Sequence, residues 1–293
     1  MKVDRYKKTR IAPTPSGFLH LGNVLSFAIT TALAKETGAK ISLRIDDMDR
    51  ARVNKLYLQD IFDTLNFMQI PWDEGPRDVN DFEAHYSQLH RMDMYNQALK
   101  QLADNGLVFA CTCSRNQLKH ASICNCLNKH SLLSDKNASW RLVTDKSEEL
   151  IVKSYNGQNI NIASPAEMRN FIVRKKDGFP SYQLTSVVDD LFYGVDMVVR
   201  GEDLWPSTLA QHQLAAALDK NSFGNITFHH HPLLLEKSGE KLSKSAGATS
   251  IKHLRESGKK PADIYQLIAV TLGIAETIIS VEQLLEIVNA DHI

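Results

Sequence analysis

No stretch of the 293 residues approaches the roughly 20 consecutive apolar residues that a membrane helix needs. The start, Met1-Lys-Val-Asp-Arg-Tyr-Lys-Lys, also lacks the apolar core of a secretory signal. Together these absences make the cytoplasm the expected compartment, with no membrane partner. Excess charge is missing too, since Lys and Arg number 34 and Asp and Glu also number 34. That removes a globally basic nucleic-acid binder, but a local basic face is compatible with a neutral total. There is no internal repeat and no low-complexity tract, which removes solenoids and linkers. Cysteine is scarce, and all four copies fall between Cys111 and Cys126. In a reducing compartment such a cluster reads as metal-binding before disulfide. What remains is an ordinary globular composition, 43% hydrophobic and 23% charged, in a chain long enough for one large domain or two.

The chain is organised around Arg10-Ile-Ala-Pro-Thr-Pro-Ser-Gly-Phe-Leu-His-Leu-Gly-Asn23. A short strand, Thr9–Ala12, breaks at two prolines, and a helix opens at Leu21 and stops at Gly38. Such a helix start presents unpaired N–H groups and a positive dipole, which suits phosphate. The prolines fix the backbone so that Arg10, Thr14 and His20 can converge on one pocket. Lys40–Ile45 reads as a second strand parallel to the first. It ends in Asp46-Asp47-Met-Asp49-Arg50, polar residues at the strand edge where open α/β sheets bind ligands. Tyr57–Met68 reads as a helix, Phe82–Asn105 as one longer helix, and Leu107–Ala110 as a strand. Residues 114–139 are polar and irregular, and Trp140–Val143 and Phe171–Arg174 read as strands of an inserted module. The α/β pattern returns with a strand at Met197–Arg200, a helix at Thr208–Leu218 and a strand end at His229-His-His231. Helical periodicity reappears at Pro261–Leu272 and Val281–Val288.

Far downstream, Lys241-Leu-Ser-Lys-Ser245 lies between Gly239 and Gly247. A triphosphate needs donors on one side and movable cations on the other, which His20 and the helix start, with Lys241 and Lys244, would supply. As an α-phosphate is attacked, charge builds on it and on the departing pyrophosphate, and positioned lysines stabilise that charge.

These two motifs, with Leu43-Arg-Ile-Asp-Asp-Met-Asp-Arg50, Asp177-Gly-Phe-Pro-Ser-Tyr182 and Val198-Val-Arg-Gly-Glu-Asp203, resemble class I aminoacyl-tRNA synthetases of the glutamate branch. The matches run from about residue 9 to 250 in the family's order. The resemblance implies an α/β fold: a Rossmann-type parallel sheet with an inserted zinc-bearing, acceptor-type module and a short helical C-terminal extension. Residues 1–106 would form the first half of the catalytic domain, 107–176 the tRNA-docking insert, and 177–240 the second catalytic half. Residues 241–293 would carry the lysine–serine loop and the helical extension.

Carried over by position, the resemblance implies that Arg10, Ala12, Thr14, Asp46, Tyr182 and Arg200 bind glutamate. Arg200 would hold the side-chain carboxylate, because a bidentate guanidinium fits a planar carboxylate and rejects a neutral amide. Asp46 would receive the ammonium, about one methylene shorter than the family's usual Glu. Pro13, His20, Gly22, Asn23 and Lys244 would bind ATP, with His20, Lys241 and Lys244 catalytic. Asn23 stands where the class has a final His, and Leu242 replaces the usual Met. Two readings are open for Asp189 and Asp190, a ribose or Mg²⁺ contact and a structural cap. The histidine run at 229–231 reads as packing and adenine surroundings before metal.

Cys111, Cys113, Cys124 and Cys126 form Cys-x-Cys, ten residues, Cys-x-Cys. Four thiolates suit a closed, structural tetrahedral Zn²⁺. Four free thiols are the other reading, and His120 or His130 could replace one ligand.

Only 48 residues follow Ser245, against the long anticodon-binding region of ordinary glutamyl-tRNA synthetases. The expectation is therefore the short branch that activates L-glutamate with ATP and attaches it to queuosine in the anticodon loop of tRNA(Asp), as a monomer. The alternatives are a ligase charging the 3′ end of tRNA(Glu), a free-standing nucleotidyltransferase and a non-catalytic tRNA-binding paralogue.

Overall fold

A computed structural model describes residues 5–114, 117, 124–129, 131–144, 149–163, 168–234, 250–278, 280 and 283. The chain divides into two compact units, one of Met1–His90, Val195–Asp203 and Phe228–Ile293, the other of Arg91–Gly194 and Leu204–Thr227.

In the first unit β1 (Lys8–Ile11) and β2 (Lys40–Leu43) pair in parallel, with Lys8 opposite Lys40 and Ile11 opposite Leu43. The last three residues of each strand are buried, as expected of parallel strands covered on both faces. The crossover is α1 (Leu21–Thr37), which ends where Gly38 takes φ 80° and donates to Ala34 O at 2.9 Å. Only a residue without a Cβ adopts that left-handed cap cheaply.

The ladder outlasts the strands. Arg44 N donates to Ile11 O, and Asp46 N donates to Pro13 O, each at 2.9 Å. The acidic cluster is thereby held against the proline turn, beyond the C-terminal ends of both strands. On its other side β1 meets β8 (Met197–Gly201), whose approach is pinned by Asp196. That carboxylate accepts from Lys7 N at 2.9 Å and Lys8 N at 2.9 Å, and Asp196 N donates back to Lys8 O. β9 (Thr227–His231) lies beside β8. Helices α2 (Lys55–Phe67), α6 (Ile251–Glu256) and α7 (Pro261–Thr271) complete the unit, with Ile61, Leu65, Val24 and Ile268 fully buried between them.

The second unit holds α3 (Met92–Asp104), α4 (Tyr182–Phe192) and α5 (Trp205–Ala217). Its antiparallel sheet has the order β3 (Val108–Cys111), β4 (Ser139–Leu142), β7 (Ile172–Arg174). A hairpin of β5 (Glu149–Ser154) and β6 (Asn159–Ala163), outside that three-stranded sheet, turns at Gly157 with φ 80°. Periodicity alone did not bring out this hairpin.

The expected single helix over Phe82–Asn105 is corrected. The chain makes a π-turn over Phe82–Tyr86, extends at Ser87 (ψ 141°), makes a 3₁₀ turn over Gln88–Arg91 and only then becomes α3. The break is imposed from a distance, since Ser87 Oγ donates to Asp47 Oδ2 at 2.6 Å and Gln88 N to Asp47 Oδ1 at 2.8 Å. The Val281–Val288 helix lies outside the described residues.

Candidate active site

The first motif is fastened at both ends of its turn. His20 is the N-cap of α1, and its backbone N–H donates to Asn23 Oδ1 at 3.0 Å. Asn23 therefore closes the helix start, a use of its side chain that the expected ATP contact did not include. Gly22 has room for no side chain, because a Cβ there would stand 3.2 Å from the His20 ring. The imidazole thus lies over the first turn of the helix, where a phosphate would meet the unpaired N–H groups.

Ahead of His20, Leu19 N donates to Asp60 Oδ2 at 3.1 Å. Phe18 packs edge-on to Tyr57 and beneath the Lys252 ammonium, 4.7 Å from its ring. Burial raises the Asp60 pKa, opposed by the Leu19 N–H and by Arg255. Thr14 is exposed at the turn, Pro13 is buried and Ala12 is half-buried.

Lys241, Leu242 and Lys244 lie outside the described residues, but the chain's return from that segment is visible. Ser250 forms an antiparallel bridge with His20, and Ile251 N donates to Leu19 O at 2.8 Å. The segment after the lysine–serine motif is therefore clipped onto the first motif itself. Ser250 then caps α6, accepting from His253 N.

Arg10 and Arg200 come from the two strands that flank this turn. Arg10 is 5% exposed, and its Nη1 donates to Val199 O at 3.3 Å. Arg200 is 4% exposed, with its guanidinium 5.1 Å above the Phe228 ring on β9. His230 follows on the same strand, its pKa lowered to about 3 by burial and then by the charges of Arg200 and, more weakly, Arg10. His229 is lowered to about 4, mainly by burial. His231 Nδ1 faces Pro232 O at 2.9 Å, and burial lowers it as well. These histidines are uncharged near neutral pH. Two buried guanidiniums with uncharged aromatics around them form a wall complementary to an anion.

Asp46 has a close partner, Arg44, two residues before it in the chain. Its carboxylate is forked by Arg44, Nε to Oδ1 at 2.7 Å and Nη2 to Oδ2 at 3.2 Å, with both side chains buried. The fork fixes the orientation of the Asp46 carboxylate. Arg44 was legible in the sequence as the residue two before Asp46 on one strand face, yet was not singled out. Asp47 is spent on structure, bound by Ser87, Gln88 and Arg50.

In the second unit, Tyr182 opens α4 and is 39% exposed. Asp189, on the same helix, takes the structural reading. It is 0% exposed, forked by Arg91 at 2.8 and 3.0 Å, and accepts from Tyr95 Oη at 2.7 Å. Burial and this carboxylate push the Tyr95 hydroxyl far above its ordinary range. Asp190 is also buried.

The four cysteines converge in the second unit. Their Sγ atoms all lie within 4.8 Å of one another, with Cys111–Cys124 and Cys113–Cys126 at 3.4 Å and Cys113–Cys124 at 3.8 Å. A tetrahedral Zn²⁺ with Zn–S near 2.3 Å requires sulfurs about 3.8 Å apart, so the donor set fits. Cys111 ends β3 and Cys113 follows it by two residues, while Cys126 lies in the 3₁₀ turn Asn125–Lys129 and Cys124 just precedes it, all packed with Phe109, Leu127 and Val143. Burial pushes Cys124 up to about 12. Burial also opposes ionisation of Cys126, but hydrogen bonds from Cys113 and Cys124 bring it down to about 7. His120 and His130 lie outside the described residues.

Among the described residues no helix is long and apolar enough to cross a membrane. The fold is similar to that of the glutamate–tRNA synthetase from Elizabethkingia anophelis, with TM-score 0.72, 22% identity, and coverage of 96% of this chain and 65% of that one. By sequence the chain is 30% identical to "Glutamate--tRNA ligase 2" of Syntrophus aciditrophicus, over 97% of this chain but 62% of that protein's length. It is 32% identical to the glutamyl-Q tRNA(Asp) synthetase of Symbiobacterium thermophilum, over 91% of this chain and 87% of that one. The corresponding Synechococcus protein is 33% identical, over 94% and 87%. The family described as tRNA synthetases class I (E and Q), catalytic domain, matches residues 7–292. With that match added to a helix start bridged by Ser250 and to the buried Arg10 and Arg200, the chain belongs to the class I tRNA synthetases, E and Q catalytic domain.

Proposed function

We propose that the protein activates L-glutamate with ATP and transfers it to queuosine in the anticodon loop of tRNA(Asp). One observation supports the activation half, the bridge that sets Ser250, five residues beyond the lysine–serine motif in sequence, against His20 at the helix start. An oxygen of the glutamate α-carboxylate attacks the α-phosphorus of ATP. The bond to the bridging oxygen breaks, and pyrophosphate leaves with the electron pair. His20 and the helix start hold phosphate, assisted by Pro13, Gly22 and Asn23, while Lys241 and Lys244 meet the growing charge. Arg10 and Arg200 select the glutamate carboxylates, Asp46 takes the ammonium, and Ala12, Thr14 and Tyr182 line the site. Mg²⁺ accompanies ATP. A hydroxyl of the tRNA then attacks the glutamyl carbonyl, losing its proton as AMP departs.

The tRNA-docking role falls to residues 107–176, between catalytic halves at 1–106 and 177–240, with 241–293 carrying the loop and helical extension. Eleven lysines and arginines against five carboxylates fall in the insert, although the whole chain is balanced at 34 and 34. A locally basic composition of this kind suits a polyanion. Cys111, Cys113, Cys124 and Cys126 would hold a structural Zn²⁺, which orders two short segments that bury few apolar side chains. The working compartment is the cytoplasm and the working state a monomer.

The acceptor assignment is supported by the similarity to two glutamyl-Q tRNA(Asp) synthetases, at 32% and 33% identity. The second reading, charging of tRNA(Glu), is favoured by the Syntrophus ligase. Labelled glutamate offered with queuosine-bearing tRNA(Asp), unmodified tRNA(Asp) and tRNA(Glu) separates them. The expected product forms only on the first, and label on the 3′ end of tRNA(Glu) would overturn the assignment.

A further inference from the structure

Arg200 is the arginine assigned to the glutamate side chain, and the structure shows what holds it. Its guanidinium carbon stands 5.1 Å from the centroid of the Phe228 ring, which is 1% exposed. His230 lies two residues further along β9, therefore on the same strand face. Its ring is nearly parallel to that of Phe228, at 11° and 6.1 Å between centroids. The five N–H donors of a guanidinium lie in its plane. Packing on an aromatic face fixes that plane without consuming an in-plane donor. A bidentate carboxylate site needs this kind of hold, because it depends on the plane being right before the ligand arrives. A lysine ammonium would gain attraction from such a ring but, having no plane, no orientation.

We infer that Phe228 is a positioning residue for glutamate selection, orienting the Arg200 guanidinium so that the pocket distinguishes a carboxylate from an amide. This rests on the reading that Arg200 binds the glutamate side chain. Phe228 touches neither glutamate nor ATP in this scheme. Loss of its ring should therefore weaken glutamate recognition and leave ATP recognition alone.

The test is ATP–pyrophosphate exchange with tRNA present, titrating glutamate, glutamine and ATP separately. Phe228→Leu, with Phe228→Met as a second apolar replacement of similar volume, should raise the glutamate KM about tenfold. The preference for glutamate over glutamine should narrow, while kcat and the ATP KM stay within about twofold. Phe228→Tyr, which keeps the ring face, should restore the glutamate KM. Arg200→Ala is the reference arm. If it raises the glutamate KM while Phe228→Leu and Phe228→Met do not, the positioning role is overturned. If Arg200→Ala leaves the glutamate KM unchanged, the reading of Arg200 itself fails and the inference falls with it. A parallel rise in glutamate and ATP KM in both apolar variants, without rescue by tyrosine, would assign Phe228 to packing alone.

Discussion

Arg10 sits on β1, laddered to β2, and Arg200 sits on β8, beside β9; the neighbouring residues on both strands are buried, so the core itself aims the two side chains. Cys111, Cys113, Cys124 and Cys126 sit on or next to a strand end and a 3₁₀ turn, with little more than Phe109, Leu127 and Val143 behind them. One region carries its order in apolar burial and spends it on holding charge. The other has four convergent sulfurs and a small core, and a metal would supply the order that packing does not. The contrast is between two arginines held by packing and four cysteines that a metal would hold.

Four substitutions or treatments would break or sharpen that contrast. The largest effect is expected from Lys244→Ala, which should lower glutamate-dependent pyrophosphate exchange about a thousandfold without changing the melting temperature or zinc content. Unchanged exchange would remove the lysine–serine segment from the chemistry. Arg200→Ala should cost about a hundredfold in kcat/KM for glutamate, because the buried carboxylate loses its charge-assisted partner. The ATP KM provides the internal control.

Next comes metal removal. One Zn²⁺ per chain should be found by elemental analysis, and chelation should expose residues 107–144 to protease while exchange stays within about threefold. Equal loss in both regions would erase the distinction. Zinc affinity should also fall as pH drops, since protons compete for the same thiolates.

The smallest effect is a pH dependence of stability. His229 and His230 are lowered to about 4 and about 3 from an ordinary 6.5. Between those values the unfolded chain binds protons that the folded chain refuses. Their contribution is thus complete above pH 6.5 and is lost as pH falls toward 3. Urea midpoints measured from pH 7 to 4 should decline, and His229→Asn should flatten the slope.

The first motif, the parallel pair and the Gly38 stop were legible because each depends on residues close in sequence. Asp46 was found at its strand edge for the same reason, but its fork with Arg44 needed side-chain geometry. Ser87 breaks a helix that local periodicity favours, and the carboxylate responsible is 40 residues away. The β5–β6 hairpin carries an Asn156-Gly157 turn signal, but only Leu150 and Val152 alternate into the core, and the polar β6 hides the pairing. Phe228 looked like ordinary core until β8 brought Arg200 over its ring. Asp189 matched a motif position yet proved to be a buried structural carboxylate, a distinction that depends on Arg91, 98 residues away.

The most direct test is ATP–pyrophosphate exchange by the purified chain with glutamate or glutamine as the amino acid. The proposed use of the buried Arg10 and Arg200 predicts exchange with glutamate and almost none with glutamine. Equal exchange with both, or none with either in the presence of tRNA, would contradict the assignment.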